Sequence, residues 1–419
     1  MNLIKQHRNL LYSCLFACFA LCACSESPDI FPIRPTTDST SVNPPDPEEP
    51  TNSATPQTVL IYMAADNSLS RDAFDNLDSI SSYVKENGLE NNHILVYLDA
   101  YGWHSNGYDY DGRPQLFSFE PSPTDTNSVA NSAGHYILKQ YEEQNSMDSQ
   151  TIESVISDAE RIYPNDSLGL ILWSHASAWF PSVYTKVRSF GSDEGRQIDI
   201  NELANALGDH IFNYILFDAC GMGSIECVYE LRKNTDYIIG SPGEIMAVGF
   251  PYKSMLPYLL QDEPDLYAVS QAFHDFYKTY DVDGLGHHSG YIALYKTSEV
   301  EAVAAISKEI FQGKGVNTFA NQSFEKVQIL THLEQFPSPL YDMKSLLGLI
   351  ATTDQMNRLD GALGKMILAK FATEEIYSSV DLFIPLTQYS GLSMYAPQEE
   401  YPSLNNWYKT LTWYKDTFE

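Results

Sequence analysis

Five short apolar runs, interleaved with stretches of helical periodicity, constrain this chain more than any other feature. They are Thr58–Ala64 (TVLIYMA), His93–Asp99 (HILVYLD), Leu168–Trp173 (LGLILW), Tyr214–Asp218 (YILFD) and Tyr237–Gly240 (YIIG). Runs this short, rich in β-branched and aromatic residues, read as strands buried on both faces. Between them, Ser70–Asn87 places Ala73, Phe74, Leu77, Ile80 and Val84 on one helical face and stops at Gly88. Thr151–Tyr163, Asp199–Asp209 and Ser224–Arg232 read as further helices. Tyr101–Glu120 reads as a hairpin turning at Asp111-Gly112. Buried strands alternating with amphipathic helices imply an α/β fold: a mostly parallel central sheet covered on both faces. From Pro264 onward the pattern gives α+β additions, with strands near Tyr291 and Met394 and a capping box at Ser298-x-x-Glu301.

The amino terminus has a different character. Lys5 and Arg8 precede a 14-residue apolar run, Leu10–Ala23, which suits a signal sequence and is too short for a membrane span. Its end, Leu21-Cys22-Ala23-Cys24, resembles a bacterial lipobox, which implies cleavage before Cys24 and a lipid on that cysteine; the competing reading is a plain secretory signal. Residues 24–57 hold eight prolines among Ser, Thr, Asp and Glu and too little apolar surface to fold, so they read as a tether. The expected organisation is a signal over 1–23, the tether over 24–57, a main domain over 58–260, and a C-terminal region over 261–419 that packs on it or extends it. The place is extracytoplasmic, in the cell envelope (outer membrane or cell surface), with the membrane met only through the lipid. Loss of the signal removes two bases and no acid, which moves the formal charge from −30 to −32. A surface this acidic excludes nucleic acid as a partner.

In parallel sheets, sites gather beyond the carboxyl ends of strands. Two consecutive runs end in reactive residues: His175 follows Leu168–Trp173, and Cys220 follows Tyr214–Asp218. A crossover commonly makes such strands neighbours, so thiol and imidazole are expected at one rim. Cys220 also precedes a helix, whose amino end would favour the thiolate. Cys227, mid-helix, reads as apolar filler. Other chemistries lack their residues. Glu226 stands where a phosphatase loop needs arginine and where a dinucleotide fingerprint needs its third glycine, and no HExxH, CxxC or GxSxG occurs.

The segments YMAADNSL (62–69), LILWSHASAW (170–179), ILFDACGMGSIECVYEL (215–231) and IIGSPGEIMAVGFPY (238–252), with a weaker GLSMYAP (391–397), resemble the clostripain-like cysteine peptidases of the caspase–gingipain–legumain clan. The resemblance implies a caspase-like αβα sandwich with Cys220 as nucleophile and His175 as catalytic histidine. It places the oxyanion hole at the backbone N–H groups of Ala176 and Cys220, and the specificity pocket at Asp218, Ser241, Glu244 and Val248. It implies a peptide or protein substrate cut after Arg or Lys, and no required cofactor, with calcium an option that the family carries. Two departures stand out. Ser174-His175-Ala176-Ser177-Ala178 replaces the usual Asp-His-Gly-Ser-Gly, and Ala247-Val248-Gly249-Phe250 replaces Gly-Asp-Gly-Trp, which removes one pocket carboxylate and weakens the basic preference. Glu244 compensates if its loop turns inward. Lys186, Arg188 and Arg196, between the catalytic strands, are candidate self-cleavage sites. A catalytically silent binding lipoprotein and a cysteine-dependent small-amide hydrolase stay open as alternatives.

Overall fold

The computed structural model describes residues 55–419 apart from 106, 124, 126, 165, 182–189, 209–211, 316–317, 334–335 and 379–381. The signal, Cys24, nearly all of the tether, Lys186 and Arg188 lie outside these residues. The chain enters as β1 (Gln57–Ala65), crosses through α1 (Ser70–Asn87) to β2 (His93–Ala100), and doubles back as β3 (Gln115–Ser118) and β4 (Tyr136–Gln140). Helix α2 (Ser149–Ile162) carries it to the other side of β1 as β5 (Ser167–Trp173). A small hairpin, β6 (Phe190–Asp193) and β7 (Arg196–Ile198), and α3 (Ile200–Leu207) lead to β8 (Tyr214–Asp218). Helix α4 (Ile225–Glu230) leads to β9 (Tyr237–Gly240).

The remainder runs α5 (Tyr252–Leu259), α6 (Leu266–Tyr277), β10 (Tyr291–Lys296), α7 (Val300–Phe311), β11 (Ile329–Leu333), β12 (Phe336–Asp342), α8 (Met343–Leu347), α9 (Thr353–Met366) and β13 (Ile367–Ala372). A hairpin, β14 (Glu375–Ser378) and β15 (Leu382–Pro385), is followed by β16 (Ser393–Tyr395), α10 (Pro402–Tyr408) and α11 (Thr412–Phe418). The main sheet has the order β13-β10-β9-β8-β5-β1-β2-β3-β4. Its middle, from β9 to β2, is parallel, and the strands added at either edge are antiparallel. Strand order reverses between β1 and β5, the place where a crevice opens above the carboxyl ends.

Period-two alternation splits the core between the two faces. Leu60, Tyr62 and Ala64 of β1 pack on the side covered by α2, α3 and α4, whereas Val59, Ile61, Met63 and Ala65 pack on the side of α1, α5 and α6. All nine residues of β1 are buried, which is why the run carries no polar alternation. The C-terminal third shares this core: β10 and β13 lengthen the sheet, and α7, α9 and α11 contribute Val303, Leu363 and Trp413 to the face beneath α4. Buried Glu226 of α4 accepts hydrogen bonds from Tyr395 N–H (2.9 Å) and Tyr408 Oη (3.3 Å), and Glu230 accepts from the Thr412 hydroxyl (2.8 Å). Among the described residues, no helix is long and apolar enough to cross a membrane.

Two local expectations are corrected, and the helix expected from Ser224 is found. The bridge Trp103–Tyr110 puts the tip of the 101–120 hairpin before Asp111-Gly112; Gly112, at φ +93°, instead turns the chain into β3. Ser298 caps nothing, because a 3₁₀ turn over Thr297–Glu299 delays α7 to Val300; the capping box forms at Thr352 and Gln355, ahead of α9. Helix α4 starts at Ile225, with Ser224 as its N-cap, so four residues separate Cys220 from its first turn.

Candidate active site

Strands β5 and β8 are parallel neighbours in which Trp173 stands opposite Asp218. His175 and Cys220 each follow two residues later, so both emerge on the same rim. They line one cleft of about 120 Å³ with Asp218, Trp173 and the loop residues Ile245 and Met246.

Each group is held by residues that sequence periodicity did not single out. The His175 Nε2 lies 2.8 Å from the Ser68 hydroxyl, on the loop that leaves β1. Burial lowers the pKa of the imidazole, so the ring is neutral at neutral pH. Gly191 N–H donates to His175 C=O at 2.8 Å and ties the histidine loop to β6. The Cys220 Sγ accepts from Ile245 N–H at 3.3 Å and lies 3.6 Å from Ile245 C=O. Burial pushes this thiol up to about 12, the Glu244 carboxylate adds to the shift, and the Ile245 N–H opposes it. Desolvation is the leading effect, and it runs against the helix-stabilised thiolate expected from the sequence. Both shifts favour the uncharged forms, thiol over thiolate and imidazole over imidazolium.

Asp218 is buried beneath the loop that closes the cleft. Its Oδ2 accepts from Phe250 N–H and Tyr252 Oη, both at 3.1 Å. Burial raises its carboxyl to about 6, against the lowering effect of those two bonds. Gly249, at φ +68°, lets the loop pass this close, since a Cβ there would stand 2.7 Å from Oδ2.

The other expected residues are placed as follows. Ala176 is buried and bridges Phe190. Ala178, where the resemblance implies glycine, adopts φ +57°, a region that costs an L-residue roughly 1–2 kcal/mol. Ser241 is buried and caps Gly243 N–H at 3.3 Å. The Glu244 Oε1 accepts from Thr331 Oγ1 at 3.3 Å and its N–H donates to Tyr291 Oη at 2.7 Å, while its carboxylate still acts on the Cys220 thiol. Ser241, Glu244 and Val248 lie off the lining of the cleft, because Tyr291 and Thr331 draw Glu244 toward β11 and Asn76 Nδ2 holds the Val248 carbonyl at 3.0 Å. Arg196 is exposed at the start of β7, opposite Asp193. Among the described residues, no group of three or more His, Cys, Asp or Glu is placed to hold a metal ion.

The contacts of Ser68 with His175, and of Asn76 with Trp173 and the Val248 carbonyl, were not anticipated from the sequence. Ser68 falls inside the YMAADNSL segment, which marked it only as part of a motif. Asn76 left a clearer trace, because it is a polar residue three positions after Ala73 and four before Ile80, on the apolar face of α1.

Comparison with known proteins gives a consistent result. A sequence profile of the clostripain family matches residues 61–417. The structure of an inactive zymogen C11 protease from Parabacteroides distasonis is similar at a TM-score of 0.75 and 34% identity, over 88% of this chain and 99% of that one. A secreted C11 cysteine protease from Bacteroides thetaiotaomicron, in complex with an irreversible peptide inhibitor, is similar at a TM-score of 0.70 and 27% identity, over 86% and 98%. No curated protein matches the chain.

Proposed function

The chain belongs to the clostripain family of C11 cysteine proteases, and from that premise we propose an endopeptidase in which Cys220 is the nucleophile and His175 its base. The observation that carries this reading is the convergence of His175, Cys220 and Asp218 on one cleft from adjacent strand ends. Because the thiol rests protonated, its proton passes to neutral His175 as Sγ bonds to the scissile carbonyl carbon. His175 then gives that proton to the departing amine as the C–N bond breaks, and water hydrolyses the thioester. Ser68, on Nε2, fixes the imidazole plane for both transfers. The backbone N–H groups of Ala176 and Cys220 are our candidates for the oxyanion site.

Asp218 lies in the cleft and is the carboxylate we assign to a basic side chain before the cleaved bond. With valine at 248 and Glu244 engaged by Thr331, it acts without a second acid, so the preference for Arg or Lys is weakened rather than strict. Cys24 is our lipid attachment site, and Arg196, Lys186 and Arg188 stay candidate points of self-cleavage.

A peptidyl thiol-reactive inhibitor bearing lysine tests the reading. It should modify Cys220 in wild type and not in Cys220→Ala, and His175→Ala should be slowed to a comparable degree, because the pair acts as a unit. No modification at Cys220, or full reactivity without His175, removes the proposal. Retention of peptide binding without turnover would instead favour a binding protein.

A further inference from the structure

One buried side chain joins the two walls of the cleft. Asn76, on α1, is 5% exposed. Its Oδ1 accepts from the Trp173 indole N–H at 2.8 Å, and its Nδ2 donates to the Val248 carbonyl at 3.0 Å. Trp173 forms one wall of the cleft, two residues before His175. Val248 belongs to the loop whose residues 245–247 form the facing wall. That loop turns on a Gly249 N–H to Met246 C=O bond and is fastened at its far end by Tyr277 Oη, which donates to Gly249 C=O at 2.9 Å. Toward β5, the Asn76 amide spans the gap: an amide can accept and donate at once in a fixed plane, which suits it to set a distance between two walls.

We infer that Asn76 is a specificity-positioning residue, whose amide fixes the spacing between Trp173 and the 245–248 loop and so the width of the slot that receives the substrate side chain before the cleaved bond. The inference rests on the peptidase reading above. Asn76 touches neither the thiol nor the imidazole in the bonds it makes, so its loss should loosen substrate seating more than bond making. Misplacing a pocket wall costs on the order of ten- to a hundredfold in kcat/KM. The larger part should appear in KM, with a broadened choice of side chain before the cleaved bond.

The experiment compares wild type, Asn76→Ala and Asn76→Asp with a peptide library varied at that position, and measures iodoacetamide alkylation of Cys220 and Cys227. Asn76→Asp is isosteric: it keeps the acceptor for the indole and places an oxygen against the Val248 carbonyl, so it covers the case in which the alanine variant does not fold. The expected result is a raised KM and a flattened library profile in either variant, with Cys227 still unlabelled. Unchanged KM and profile beside an active wild type overturn the role of Asn76 alone. A gain of labelling at both cysteines marks general loosening and likewise overturns it. A wild type that cleaves no peptide overturns the peptidase reading and this inference together.

Discussion

Replacing Asp218 by asparagine removes the cleft's buried charge while keeping its shape, and two effects of opposite sign follow. The free carboxyl titrates at about 6, so it is roughly nine-tenths ionised at pH 7 and one-tenth at pH 5. A charge-assisted bond to an arginine is worth about 1.5–3 kcal/mol, which corresponds to a preference of roughly ten- to a hundredfold over a neutral isostere. Since kcat/KM follows the free enzyme, the wild-type ratio for arginine over norleucine should fall about five- to ninefold between pH 7 and pH 5. The Asp218→Asn ratio should be low and flat over that range. Stability moves the other way. A carboxyl raised above its unfolded value favours the folded state while protonated and loses that contribution as pH rises through about 6. At pH 8 the ionised wild type has lost up to about 3 kcal/mol that an uncharged amide does not lose. Asp218→Asn should therefore melt higher than wild type at pH 8, and the two should converge toward pH 4. The assays are initial rates on paired fluorogenic peptides and thermal melts at matched pH. A wild-type ratio that does not change with pH, or survives in Asp218→Asn, refutes the assignment of this carboxylate to the specificity slot.

The thiols should separate by position: iodoacetamide on the native protein labels half-buried Cys220 and leaves Cys227 untouched, as peptide mass mapping would read. The acid limb of kcat/KM should lie below the ordinary histidine pKa, because burial keeps His175 unprotonated there, and Ser68→Ala should shift that limb and lower kcat. A limb that does not move would detach Ser68 from the histidine. Wild type should partition into detergent and Cys24→Ser should not, with intact mass showing whether a lipid is present; residues 58–419 should stay folded in both, because the tether supplies no core.

The fold was legible because a strand buried on both faces leaves an uninterrupted apolar run, and β1, β2, β5, β8 and β9 all do. The placement of His175 and Cys220 at one rim was legible for a related reason, since a residue just past such a run stands at the rim by construction. The ionisation of Cys220 was not, because it depends first on burial and then on Glu244 and Ile245, which a turn brings back over the thiol from beyond β9. The contacts of Ser68 and Asn76 were hidden for the same reason: each partner lies on a different element, and no local pattern records a hydrogen bond between them. The false capping box at Ser298 shows the converse, a local signal overridden when Thr297 bonds instead to Thr235 C=O at 2.7 Å.

The bonds that Glu226 and Glu230 make to Tyr395, Tyr408 and Thr412 order events in time. A chain made amino end first presents Cys220 long before the residues that brace the helix behind it have emerged. Until Tyr395 and Tyr408 arrive, Glu226 has neither partner from the far end of the chain, and burying it unaccompanied is unfavourable. The nucleophile's surroundings can therefore be completed only after synthesis has reached the last helix.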